Sequence, residues 1–202
     1  MSEVIAIDGP AGSGKSTVAR AVAERLGWTY LDTGAMYRAL AIAARRRGFN
    51  IEDEVALGAL SQSAKLELGE RVLVDGDDVT DDLRLDRTNR DVSIVAANAE
   101  VRSSMVQRQR DYVATAPGGV VVEGRDITTV VFPDARLKIF LTASLEERAR
   151  RRGEEDVESI ARRDEADSTR TTSPLRKADD ALFIDTTGRS VDLIVEEIVQ
   201  CL

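Results

Sequence analysis

Residues 8–17 read DGPAGSGKST and follow directly on the apolar run VIAI. Gly9 to Ser16 fits the pattern G-x-x-x-x-G-K-[ST], and this pattern has meaning only when a buried strand precedes it and a helix follows. Both flanks qualify: Val4–Ile7 is uniformly apolar, and Lys15–Leu26 places Val18, Ala21, Val22 and Leu26 at helical spacing before Gly27. Glycines let backbone N–H groups turn inward around phosphate oxygens, and the start of the following helix adds its own unpaired donors. Lys15 is then expected to reach the terminal phosphates and Ser16 to offer its hydroxyl to Mg²⁺. The expected ligand is a nucleoside triphosphate.

The rest of the chain continues the alternation. Residues 28–34 read as a short second strand leaving through a turn. Ala35–Arg47 and Glu52–Ala64 read as helices. Val72–Val74, followed by Asp75-Gly76-Asp77-Asp78 and Val79, has the pattern of a small antiparallel hairpin. Helical texture returns over Asp91–Val113. Val120–Val122, Leu137–Leu141 and Ala181–Ile184 are apolar strands, and residues 144–152 and Val191–Leu202 are helices. Uniformly apolar strands between helices imply a mainly parallel sheet covered on both faces. The expected fold is therefore a three-layer α/β/α domain with a central parallel sheet and a hairpin-bearing insertion.

Composition narrows the chemistry. The chain has no histidine, so His triads, His metal sites and imidazole bases are excluded. A net charge of −8 argues against a nucleic-acid binder. With 43% apolar residues over 202 positions the chain has enough core for one domain. No apolar run reaches the ~18–20 residues that span a bilayer, and no secretion signal is evident, so a cytoplasmic protein is expected; an acidic surface with no evident heptads or large apolar patch favours a monomer. Cys201 is the only cysteine and has no internal partner for a disulfide. Only 4 of the 28 cationic residues are lysines. Arginine presents a planar fork matched to phosphate and carboxylate, so its positions matter.

Three groups stand out. Thr33, Tyr37 and Arg38 follow the second strand. Gly124, Arg125 and Asp126 end the strand after Val120. Arg163, Asp167 and Arg170 are spaced i, i+4 and i+7, as on one helix face. Ligands of open α/β sheets bind at the carboxyl ends of strands, so the first two groups are expected to face the crevice that holds the glycine loop. Arg148–Arg152 reads as a mixed solvated face. From these residues alone, three activities stay open: transfer to a phosphate, transfer to an alcohol with Asp32 or Asp126 as base, or slow hydrolysis by a nucleotide switch. The guanine motif N/T-K-x-D of GTPases is absent from the sequence.

At LDTGAMYR and EGRDITTVVFPDA the sequence resembles the bacterial cytidylate kinases, a branch of the nucleoside monophosphate kinases, and the similarity runs through essentially the whole chain. The resemblance implies transfer of phosphate from ATP to CMP or dCMP with Mg²⁺. On it, Gly9, Pro10, Ala11, Gly12, Ser13, Gly14, Lys15, Ser16 and Thr17 form the ATP loop. Thr33, Tyr37 and Arg38 lie near the acceptor phosphate, and Ser93, Arg102 and Asp126 recognise the cytosine ring. Arg125 and Arg170 hold phosphate, while Arg163 and Asp167 hold the acceptor sugar. The implied division is a core of residues 1–32, 106–147 and 171–202, a monophosphate-binding region of about 33–105, and a short lid of about 148–170. Glu123 and Ala11 depart from the family's usual Asp and hydroxyl residue, and Ala166 and Thr169 thin the charge of the last group.

Overall fold

The computed structural model describes residues 3–153 and 157–202, apart from the side chain of Arg163. In chain order its elements begin with β1 (Val4–Asp8), α1 (Lys15–Leu26), β2 (Thr29–Asp32), α2 (Thr33–Arg46) and α3 (Glu54–Ser63). Three short strands follow, β3 (Leu66–Leu68), β4 (Val72–Val74) and β5 (Asp77–Asp78), then α4 (Asp86–Ala97) and α5 (Ala99–Thr115). The chain ends with β6 (Val120–Gly124), β7 (Leu137–Thr142), α6 (Leu145–Arg152), α7 (Val157–Thr169), β8 (Leu182–Asp185) and α8 (Val191–Val199). Two compact units result, one made of residues 1–32 and 112–202, the other of residues 33–111.

The first unit is built on a five-stranded sheet in the order β2-β6-β1-β7-β8, with every pairing parallel. All five residues of β1 and of β6 are buried, which is why their sequences lack polar alternation. On one face α1 and α8 press Val18, Val22, Ile194 and Ile198 against Ile5, Ile7, Ile139, Leu141 and Ile184. Each such side chain contributes about 1.5–3 kcal/mol when fully buried, so this layer fixes the sheet on which the loops stand. The chain passes from β6 on one side of β1 to β7 on the other, making the end of β1 the point where strand order reverses. That is where a doubly wound sheet leaves room for a ligand. In register, Asp8 stands opposite Gly124, and Glu123 stands opposite Ile7 and Asp32, so these residues share the carboxyl edge.

The second unit carries the insertion. Val74 faces Asp77 across a two-residue turn in which Asp75 (φ 54°) and Gly76 (φ 87°) are both left-handed, the geometry that suits the twist of a hairpin. The expected hairpin is in fact a three-stranded sheet, because Leu66–Leu68 pairs antiparallel with β4. The continuous helix expected over Asp91–Val113 is two helices. Asn98 breaks it, accepting from the N–H groups of Glu100 and Val101 at 3.0 Å as a cap and donating to the Glu54 carbonyl at 2.9 Å. The turn expected at residues 33–34 does not form; α2 starts at Thr33, directly after β2. At the other end of α2, Arg45 pairs with Asp91 and Arg46 with Asp82, cations suited to a helix C-terminus.

Candidate active site

The loop from Gly9 to Gly14 packs too closely for side chains at two positions. A Cβ on Gly9 would lie 2.0 Å from the Leu141 carbonyl oxygen, and one on Gly12, where φ is +75°, would lie 2.7 Å from that of Arg148. Gly14, at φ 91°, turns the chain into α1.

Five consecutive carbonyls of this loop each accept a side-chain donor. Gly9 O receives Arg125 Nη1, and Pro10 O receives Lys15 Nζ at 2.9 Å. Ala11 O receives Arg148 Nη1 at 3.2 Å, Gly12 O receives Arg151 Nη1 at 3.5 Å, and Ser13 O receives Thr186 Oγ1 at 3.0 Å. The N–H and C=O of one peptide plane point in opposite directions. Tying the Ala11 and Ser13 carbonyls to surrounding side chains therefore turns the Gly12 and Gly14 N–H groups the other way, toward the space an anion would take. Asp164 joins the same lattice, pairing with Arg148 and accepting from Ala11 N at 3.4 Å.

Lys15 is 9% exposed. Burial, and then the nearby Arg125 guanidinium, push its pKa down to about 7, with Glu123, Asp8 and Asp167 opposing. Next to it Ser16 donates to Glu123 Oε1 at 2.5 Å, and Tyr30 donates to the same oxygen at 3.2 Å. Burial and the Glu123 charge together raise the Tyr30 hydroxyl's pKa, so it stays a donor. Among the described residues no group of three or more His, Cys, Asp or Glu is placed to hold a metal. A hydroxyl beside one carboxylate suits a hard cation that takes its remaining oxygens from phosphates and water, as Mg²⁺ does. Thr17, one residue on, is exposed on α1.

Arg125 is anchored twice, to Gly9 O and by Nε to Asp167 Oδ2 at 2.8 Å. Asp167 also approaches Arg170, through Oδ1 to Nη2 at 3.4 Å and through its backbone oxygen to Nε at 3.3 Å. Arg125, Asp167 and Arg170 thus form one cluster at the edge of the loop. The spacing rule behind their grouping holds only in part, because α7 ends at Thr169 and Arg170 lies just beyond it. The Arg163 side chain falls outside the described residues.

Asp126 opens a π-helical turn over Ile127–Val131 that sequence reading did not anticipate, its carbonyl accepting from Val130 N at 2.9 Å. The first N–H groups of such a turn have no acceptor within it. Asp8 supplies one from the neighbouring strand: Oδ1 accepts from Ile127 N at 2.9 Å, and Oδ2 from Thr128 N and Oγ1 at 2.7 Å. Fully buried, Asp8 has its pKa raised to about 6 by desolvation, against the pull of these donors.

In the second unit Thr33 and Tyr37 are buried in the first turns of α2, with Arg38 half-buried beside them. Arg102, 5% exposed, lies with its guanidinium 5.6 Å from the Tyr37 ring centre and donates to the Ala96 carbonyl at 3.1 Å. Ser93 lines a cavity of about 440 Å³ with Ile51, Glu54, Leu57, Ile94 and Asn98.

The Arg148–Arg152 run, expected as a mixed solvated face, is solvated only in part: Arg150 is exposed, whereas Arg148 is 9% exposed and Arg151 bridges Glu147 to Thr186. Both side chains face the phosphate loop because Ser144 caps α6 at the end of β7, directing that helix past Ala11 and Gly12. Asp8, Asp164 and Thr186 were missed as well. Asp8 could have been suspected as an ionisable residue ending an otherwise apolar strand, whereas Thr186 lies 173 residues from its partner Ser13 and carries no local signal.

Among the described residues no helix is long and apolar enough to cross a membrane. A family model described as "Cytidylate kinase" matches residues 5–202. The chain is 53% identical to the cytidylate kinase of Geobacillus kaustophilus (strain HTA426), over 97% of this chain and 94% of that protein. It is 50% identical to the cytidylate kinase of Bacillus pumilus (strain SAFR-032), over 96% and 93% respectively. Among solved structures, a gluconokinase from Sinorhizobium meliloti 1021 shares the fold, with a TM-score of 0.54 and 16% identity over 98% of this chain and 90% of that one. A parallel sheet with its strand order reversing at a glycine loop, arginines tied to that loop, and half-identity along nearly the whole length agree: the chain belongs to the cytidylate kinase family.

Proposed function

We propose that the chain transfers the γ-phosphoryl group of ATP to CMP or dCMP, giving ADP and CDP or dCDP. The observation that carries this reading is the bond from Arg125 to the first carbonyl of the phosphate loop, which sets a guanidinium beside the place where loop N–H groups and Lys15 would hold the donor. A nucleoside monophosphate is already largely dianionic near neutral pH, the second phosphate pKa being about 6. It needs no general base, so a histidine-free protein is suited to the reaction. The barrier is electrostatic, two anions having to meet, and cations positioned in advance lower it.

In this reading the catalytic residues are Lys15, Arg125 and Arg170, and Gly9–Thr17 hold the triphosphate. Thr33, Tyr37, Arg38, Gly124, Arg163 and Asp167 bind the acceptor. Ser93 and Arg102 donate to the cytosine ring acceptors, and Asp126 accepts from its amino group. Ser16, with Glu123 beside it, would hold Mg²⁺, which would supply positive charge to offset that of the phosphates. The protein works as a cytoplasmic monomer. Product analysis by ³¹P NMR tests the reading: ATP and CMP should give CDP and ADP in equal amounts, whereas ATP loss with inorganic phosphate alone would mark a hydrolase.

A further inference from the structure

We propose that Thr186, at the end of β8, is a positioning residue for the triphosphate: its hydroxyl holds the Ser13–Gly14 peptide plane so that the Gly14 N–H stays turned toward the anion. Thr186 is 1% exposed, and its Oγ1 lies 3.0 Å from Ser13 O and 2.9 Å from Thr142 O. A hydroxyl has one proton to give. Thr142 O already receives the Thr186 backbone N–H at 2.9 Å, so the proton on Ser13 O leaves neither carbonyl without a donor. Arg151 fixes the hydroxyl from the other side, donating by Nη1 to Oγ1 and by Nη2 to the Thr186 carbonyl, both at 2.8 Å.

The plane needs such a hold because its second residue is a glycine. Gly14 sits at φ 91°, and glycine accepts either sign of φ at little cost. Nothing steric in Gly14 itself prevents the Ser13–Gly14 peptide from rotating its carbonyl into the loop, where it would repel phosphate and withdraw an N–H donor. Ser13 is fully buried, so its carbonyl has no water to accept from once the hydroxyl is gone. Thr186 thus stabilises the one orientation in which the junction between loop and α1 binds anions.

The inference rests on the reading that this loop takes a nucleoside triphosphate, and calorimetry with Mg·ADP and no acceptor separates the two. If the wild-type protein fails to bind Mg·ADP, that reading falls. If it binds, Thr186→Val, which keeps the side-chain shape and removes the hydroxyl, should weaken the affinity about tenfold, or about 1.4 kcal/mol. Thr186→Ser should stay within twofold of wild type, and the KM for CMP should change less than twofold in either variant. Thr186→Ala provides a second hydroxyl-free variant should valine strain the site. Unchanged Mg·ADP affinity in a folded hydroxyl-free variant, an equal loss in the serine variant, or failure of both hydroxyl-free variants to fold overturns the inference.

Discussion

Ser16 donates its hydroxyl to Glu123 at 2.5 Å, joining the last residue of the phosphate motif to the carboxyl end of the neighbouring strand. The pair leaves Glu123 beside the hydroxyl proposed to meet Mg²⁺, where it would orient that hydroxyl. Glu123→Gln should raise the free Mg²⁺ concentration needed for half-maximal rate about tenfold, as outer-sphere substitutions typically do. Activity titrated against free Mg²⁺ at saturating nucleotide checks this, and an unmoved midpoint would separate Glu123 from the metal.

Lys15 gives a pH dependence. Burial and Arg125 depress its pKa to about 7, so in the nucleotide-free protein it is increasingly neutral above that pH. Polyphosphate favours the charged form and raises the pKa again. Nucleotide binding between pH 7 and 9 should therefore take up a proton, and affinity should fall as pH rises, by up to about tenfold per unit. Calorimetry in buffers of different ionisation enthalpy measures the uptake directly.

Arg125 makes two anchored contacts, and a truncated side chain can replace neither. Arg125→Ala should lower kcat/KM by at least about a hundredfold, the cost of removing one preorganised contact to developing charge, in a protein that still folds. Arg125→Lys should not restore activity, since an ammonium lacks the planar fork that meets Gly9 O and Asp167 together. Steady-state rates with ATP and CMP decide the matter.

Asp8 links stability to pH. Its pKa is raised to about 6 in the folded protein from 3.8, so the folded state holds that proton more tightly than the unfolded one. The stability this adds is full below pH 3.8 and is lost as pH rises through 6. Relative to Asp8→Asn, the unfolding free energy of the wild type should thus fall between pH 4 and 6, by up to about 3 kcal/mol. Urea unfolding of both proteins at pH 4.5 and 7 tests the sign.

Local pattern was enough to read the sheet and the phosphate loop, because strand burial, glycine spacing and helical periodicity are short-range properties. Lys15–Leu26 has the same limits in sequence and in structure, since a left-handed glycine stands at each end. The Asn98 break was not legible, because an asparagine inside helical texture becomes a cap only when Glu54 is there to receive its amide. The support of the phosphate loop was equally hidden. Arg148, Arg151 and Thr186 are distant in sequence, and an arginine-rich run reads as solvated until the fold brings loop carbonyls to it. The pairing of Arg125 and Arg170 through Asp167 was half visible, since spacing grouped the last two but not their partner across the strand end.

The most direct test is a coupled assay of ATP turnover with CMP, dCMP, UMP, AMP and shikimate as alternative acceptors. A carboxyl oxygen of Asp126 accepting from the cytosine amino group would meet an oxygen where uracil carries one, so CMP and dCMP should exceed UMP in kcat/KM by at least about a hundredfold, the scale on which a buried polar mismatch is rejected. Comparable rates with UMP, or turnover of shikimate in preference to CMP, would contradict the account.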